Sequence, residues 1–292
     1  MVGKTEVPLI LGGHSFISQL GNDPAASEAE QRRIAEACLD QGIAWFDSTY
    51  MPERIAIGNA LATLCRREEA RILAWNFFTP FGPGEPVGGP DYYQLGHIDQ
   101  ILEQLRTGYV DVLVVVPLDN AEKNRRQEEL AIEWQRNGYA RSLGLWIPEA
   151  RTVSVPPAAG PFRFAVHPCN IATPEAAGVF ARCKACGWEA LATSPFHRGW
   201  QLDRLIAAAV ATGQGNPERL RADLADLMLR YALYQPNVDR VIVAMRKVEW
   251  IARNLESAAR GPLDTDELRR LQELQSLASG KGPWWRRLRR LF

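Results

Sequence analysis

The chain has 292 residues, 46% of them hydrophobic, with 34 Lys+Arg against 34 Asp+Glu. This is ordinary globular composition, at a length that suits one large α/β barrel or two smaller domains. Zero net charge gives no global attraction to nucleic acid, no apolar run is long enough for a membrane span, and the N-terminus has no signal-peptide pattern. The cysteines are Cys38, Cys65, Cys169, Cys183 and Cys186. An odd number of them in a large chain points to reduced thiols and a cytoplasmic setting.

In chain order, Val7 to Leu11 predicts a short apolar strand ending in Gly12-Gly13. Ala26 to Gln41 has helical apolar spacing at Ile34, Ala35 and Cys38, and Gly42 closes it. Ile43 to Phe46 predicts a strand, Pro52 to Arg66 a helix and Arg71 to Trp75 another strand. A Gly/Pro-rich loop from Phe81 to Pro90 precedes a helix over Gly96 to Arg106. Val110 to Val116 is an almost unbroken β-branched run, the pattern of a parallel strand buried on both faces. Asn124 to Arg136 predicts a helix and Ala140 to Trp146 a strand. Pro148 to Pro161 reads as a long irregular loop. Phe162 to His167 follows as a strand, and Thr173-Pro174-Glu175 opens a helix to Cys186. Glu189 to Thr193 and Val238 to Val243 predict the last strands. Helices are predicted over Leu202 to Thr212, Pro217 to Tyr234, Val248 to Ser257 and Asp264 to Ala278.

Eight strands alternating with helices predict a closed (β/α)8 barrel, the TIM-barrel architecture. A doubly wound open sheet is the alternative, and Leu11-Gly12-Gly13-His14 is too short for the glycine fingerprint such a fold would carry. In a barrel, chemistry collects at the carboxyl ends of the strands. There the second strand delivers Asp47, Ser48, Thr49 and Tyr50.

That stretch, Phe46-Asp47-Ser48-Thr49-Tyr50, resembles the end of the second strand in the aldo-keto reductase family. Further blocks are similar in the same order: Pro52 to Leu61, Leu105 to Leu113, Gly138 to Gly144, Cys186 to Gly199 through Ser194-Pro195-Phe196, and Val241 to Leu255. The resemblance runs from about Pro8 to about Leu277 and implies a barrel of aldo-keto reductase type. It also implies hydride transfer from NADPH to a carbonyl. In that reaction a Tyr donates the proton, a Lys held by an Asp tunes the Tyr, and a His orients the carbonyl.

Carried over by position, the resemblance implies Asp47 and Tyr50 as catalytic vestiges. The Lys position reads Asn76, which is neutral, and the His position reads Val116. Where the family holds the nicotinamide, this chain has Trp146-Ile147, Val166 and Thr193. What matches is the phosphate end of the cofactor: Ser194, Arg246 and Asn254, although a nearby Gly reads Ala244. The chain therefore reads as a reductase scaffold with the Lys and His positions lost.

Other constellations remain open. Cys183-Lys184-Ala185-Cys186 is either a redox or metal-binding pair or a helix end with one Cys packed inward. His14, His167 and His197 fall near strand ends and, with Asp47, are a candidate metal or acid–base cluster beside the bland reading that assigns no metal. Trp45, Trp75, Trp146 and Trp200 are either an aromatic floor for a flat ligand or packing residues. The last residues, Trp284 to Phe292, interleave tryptophan, arginine and apolar side chains. They suit an anionic membrane surface or an acidic protein partner, with nucleic acid disfavoured.

The reading is one barrel over residues 1–280 and a basic aromatic tail over residues 281–292. It is expected to bind a ligand or partner without catalysis, in the cytoplasm or peripherally at a membrane. The alternative is a divergent NADPH-dependent oxidoreductase acting on a carbonyl with another proton donor, His14 or His167.

Overall fold

A computed structural model describes residues 7–18, 25–78, 89–148 and 160–280. The C-terminal tail and most of the loops over 81–90 and 148–161 lie outside the described residues. Eight parallel strands pair in sequence order and close: β1 (Leu9–Gly12), β2 (Trp45–Ser48), β3 (Arg71–Trp75), β4 (Val110–Val115), β5 (Ala140–Trp146), β6 (Phe162–Pro168), β7 (Glu189–Thr193) and β8 (Arg240–Val243). The (β/α)8 barrel is therefore the fold, and β8 pairs back onto β1 through Leu9 and Val241.

Nine α-helices surround the barrel among the described residues: α1 (Glu28–Asp40), α2 (Met51–Leu64), α3 (His97–Leu105), α4 (Ala121–Arg136), α5 (Ala176–Ala185), α6 (Trp200–Ala211), α7 (Pro217–Leu233), α8 (Val248–Ala259) and α9 (Thr265–Ala278). Side-chain caps fix several starts. Ser27 and Glu30 form a capping box on α1, and the Asn216 side chain accepts from Arg219 N ahead of Pro217 on α7.

A strand sends alternate side chains to opposite faces, so the register decides which residues fill the barrel. Ile10, Trp45, Leu73, Val114, Val166 and Ile242 belong to the interior cluster. Their neighbours, such as Leu11, Phe46, Ile72 and Leu113, pack outward against the helices. A third apolar cluster joins α6, α7 and α9 through Leu205, Leu224, Met228, Leu271 and Leu274. Close packing also explains Gly58 on α2. A Cβ there would lie 2.5 Å from the Gln104 carbonyl oxygen, so only glycine lets α2 approach the end of α3.

The amino-terminal end of the barrel is closed by compensated charge. The Trp45 ring has Arg71 at 5.4 Å and Arg240 at 5.0 Å, and Arg240 pairs with Glu189. On β4, the Asp111 carboxylate accepts Ile72 N at 2.9 Å, Arg141 Nη1 at 3.1 Å and Arg67 Nη2 at 3.4 Å.

Candidate functional site

At the carboxyl end of the strands, Asp47 sits on β2 with only 4% of its surface exposed. Trp75, the last residue of β3, donates its indole Nε1–H to Asp47 Oδ1 at 2.6 Å. Asn76, at the position that the resemblance gives to the Lys, does not stand beside Asp47. One residue along a strand reverses the direction of the side chain. Asn76 faces the helix layer instead. Its Nδ2 donates to Asp91 O at 2.8 Å and to Gln127 Oε1 at 3.1 Å, and its Oδ1 accepts Val116 N at 3.3 Å. Val116 itself is buried in the barrel interior.

Tyr50 is the residue before α2 and is buried. Its ring lies 5.7 Å from His14 and 5.3 Å from Phe77. Phe77 continues to Trp75 at 6.5 Å, and Trp75 to Trp146 at 5.4 Å. A chain of ring contacts thus crosses the mouth from the exit of β1 to the end of β5. Of the four tryptophans considered together, Trp75 and Trp146 meet here. Trp45 lies at the opposite end of the barrel, and Trp200 is 46% exposed at the start of α6.

Further ionisable groups of the mouth come from the turn after β1 and from α2. His14, in the turn after β1, places Nδ1 2.9 Å from Glu53 Oε1. Glu53, in the first turn of α2, is fully buried, and its Oε2 accepts Thr49 N at 2.7 Å. Gly13 is required at this approach, because a Cβ there would sit 2.4 Å from Glu53 Oε2 and 2.7 Å from Asp47 O. Behind Glu53, the buried Arg54 guanidinium donates to Phe77 O at 2.8 Å and to Thr49 O and Trp75 O at 3.2 Å each. It therefore ties the exits of β2 and β3 together.

These placements set the protonation of the site. Burial pushes the Asp47 carboxyl up to about 7, the nearby Glu53 carboxylate adds to the rise, and the Trp75 hydrogen bond and His14 oppose it. Burial works against a charge on His14, but the Coulombic pull of Glu53 and its hydrogen bond prevail and raise the imidazole above its ordinary value.

The residues assigned to the phosphate end lie around the exits of β7 and β8. Ser194 follows β7 with φ 58°, and its carbonyl accepts His197 N at 3.0 Å and Asn170 Nδ2 at 3.2 Å. Arg246 follows β8, and its Nη1 donates to Ile17 O at 2.5 Å and His14 O at 3.2 Å. Ser15 Oγ reinforces that seam by accepting Met245 N at 2.8 Å. Asn254 is half-buried on α8. On the nicotinamide side, Trp146 and Val166 face the barrel interior, Ile147 is buried in the outer layer, and Thr193 ends β7 half-buried.

The candidate histidine cluster does not assemble. His167 Nδ1 lies 2.7 Å from Ile147 O, with its ring against Phe180 in the helix layer, and His197 is exposed beside Trp200. Among the described residues no three His, Cys, Asp or Glu groups gather as a metal set. Cys183 is buried, its thiol pushed up to about 11 by burial, while Cys186 is half-buried at the end of α5. What the sequence reading missed is Glu53 and Arg54. An acid in the first turn of a helix reads as an ordinary cap, and only the fold shows that both side chains are buried.

The sequence profile of the aldo/keto reductase family matches residues 216–276, the segment from α7 through most of α9. In three dimensions the chain is similar to the aldo-keto reductase AKR11C1 from Bacillus halodurans, solved in a holo form. The TM-score is 0.66 and the identity 19%, over 91% of each chain. It is also similar to the thermostable aldo-keto reductase Tm1743, solved with the inhibitor epalrestat. Here the TM-score is 0.64 and the identity 20%, over 94% of this chain and 97% of that one. No curated protein matches the chain in sequence. The fold is the (β/α)8 barrel of aldo-keto reductase type, and the chain's resemblance to that family is structural and, over residues 216–276, one of sequence.

Proposed function

We propose that this chain is a ligand-binding barrel of aldo-keto reductase type that performs no hydride transfer. The observation that carries the reading is the 2.6 Å hydrogen bond from Trp75 to Asp47. An uncharged indole makes the hydrogen-bonded contact to Asp47 from β3, so among the described residues of that strand a neutral group stands where a lysine would tune a phenol. Val116 contributes only an apolar surface to the mouth. Among the described residues of that wall, Val114 and Val116 offer no side-chain hydrogen bond to a carbonyl.

The same residues do not fit a nicotinamide. Trp75 and Trp146 pack against each other, and Val166 and Ile147 supply no side-chain hydrogen bond to a carboxamide. Arg246, at the phosphate end, donates to His14 O and Ile17 O within the fold. The aromatic rings that cross the mouth are suited instead to hold a flat or apolar group. On the same proposal, Trp284 to Phe292 add a contact to an anionic membrane surface or an acidic partner. Truncation after Gly280 is expected to abolish sedimentation with anionic vesicles.

Titration with NADPH and NADP⁺, followed by tryptophan fluorescence, tests the reading. The expected result is no saturable quenching up to about millimolar cofactor, corresponding to less than roughly 4 kcal/mol of binding. Micromolar affinity, with cofactor oxidation in the presence of a carbonyl, would overturn it. One observation favours a second reading. The family profile matches the segment that holds Arg246 and Asn254, so a divergent NADPH-dependent oxidoreductase with His14 as proton donor predicts the opposite outcome.

A further inference from the structure

Among the described residues Asp47 is a buried carboxyl of the mouth that has no ion pair. Its Oδ1 accepts from Trp75, whereas Oδ2 accepts no hydrogen bond from the described residues. An ionised carboxylate in such surroundings is destabilised unless a positive charge comes to it. Trp75 is the ring in contact with Asp47, and Trp146, Phe77 and Tyr50 are linked to it in turn by ring contacts of 5.3 to 6.5 Å. Aromatic faces attract cations through their quadrupoles, most strongly where water is excluded. A buried carboxylate at the end of a run of indole, phenyl and phenol rings has the composition of an ammonium site.

We propose that the barrel mouth binds an organic ammonium carrying an apolar or aromatic group, with Asp47 as counter-ion and Trp75, Trp146 and Phe77 as walls. This deepens the ligand-binding reading and rests on it. The charged groups around Asp47 come from three places. His14 at the β1 exit is paired with Glu53 of α2. Arg54 of α2 lies behind Glu53 and is turned to main-chain carbonyls. Arg198, beyond β7, acts on His14. His14 and Glu53 act on Asp47 in opposite directions, the Glu53 carboxylate more strongly than His14.

Since burial raises the Asp47 carboxyl to about 7, the ligand must compete with a proton in acid. Cation affinity is therefore full above that value and falls about tenfold for each pH unit below it.

The probe is benzylamine, a cation throughout this range, with benzyl alcohol as its neutral counterpart, titrated by calorimetry into the full chain. The expected result is binding of the ammonium at least about tenfold tighter than the alcohol, and roughly a hundredfold weaker at pH 5 than at pH 8. Asp47→Asn, confirmed folded by circular dichroism, is expected to remove the preference. If that variant does not fold, the pH series on the unmodified chain decides. Equal affinity for amine and alcohol, an unchanged pH series, or no amine binding at about 10 mM would overturn the inference. The last outcome, alongside absent NADPH binding, removes the ammonium and leaves a barrel for another ligand class. NADPH oxidation would instead remove the underlying reading.

Discussion

Two buried aspartates stand at opposite ends of this barrel and are treated differently. Asp111, at the amino-terminal end of β4, receives Ile72 N, Arg67 and Arg141, and the two guanidiniums also lie over the Tyr109 ring at 4.5 and 3.8 Å. Asp47, at the carboxyl end of β2, receives one indole N–H. Charge that is fully met by its own chain serves the fold. Charge that is buried and left short costs stability, and such groups collect where a molecule binds. On the proposed reading, the contrast gives the lower end of the barrel to architecture and the mouth to binding.

The sharpest way to break the comparison is to remove each carboxylate. Asp111→Ala is expected to destabilise the fold by about 3 kcal/mol, because it strands the partly buried Arg67 and the Ile72 amide. Urea unfolding measures it, and a loss below roughly 1 kcal/mol would remove the structural role given to Asp111. Asp47→Asn is expected to act in the opposite direction. The Asp47 carboxyl rises from 3.8 to about 7 on folding. The native state therefore holds a proton that the unfolded chain has lost, and stability falls as pH rises through that window. The asparagine variant escapes this loss while its amide oxygen can still accept from Trp75. At pH 8 it should be more stable by up to roughly 4 kcal/mol, with the gap closing near pH 4. A variant less stable than the parent at pH 8 would show that Asp47 is compensated after all.

Smaller changes sharpen the contrast. Trp75→Phe keeps the ring and removes the N–H, so it should cost about 1–2 kcal/mol and move the Asp47 titration further up. A downward movement of that titration would contradict the geometry. Arg246→Met unties the β8 exit from His14 O and Ile17 O and should cost about 1 kcal/mol. Hydrogen exchange should show the loss confined to residues 13–17. Faster exchange spread over the whole barrel would mean that Arg246 holds more than this seam.

Much of this fold is legible in the sequence, because alternation and β-branched runs survive inspection one segment at a time. Its boundaries are less so. Helix α4 starts at Ala121 rather than Asn124, because the cap is Asn120, whose side chain accepts Lys123 N, while Asn124 bonds Leu118. Strand β8 starts at Arg240 rather than Val238, after the positive-φ Asn237 and after Asp239 has turned to Ala190 N. Asp47 could be found from its place at the end of an apolar strand. Trp75 could not be, since its role hangs on the parity of β3, and Asn76 differs by one residue. Glu53 and Arg54 carry ordinary helix-start chemistry in the sequence, and nothing local shows that both are buried beneath the mouth.

The most direct measurement is the titration of Asp47 itself, by carbon-13 NMR of aspartate carboxyls in the full chain, assigned with Asp47→Asn. A midpoint near 7, accompanied by a shift of the Trp75 indole proton, is the predicted result. A midpoint at or below the ordinary aspartate value of roughly 4 would mean that a cation of the chain already meets this carboxylate. The mouth would then be closed as firmly as the other end of the barrel.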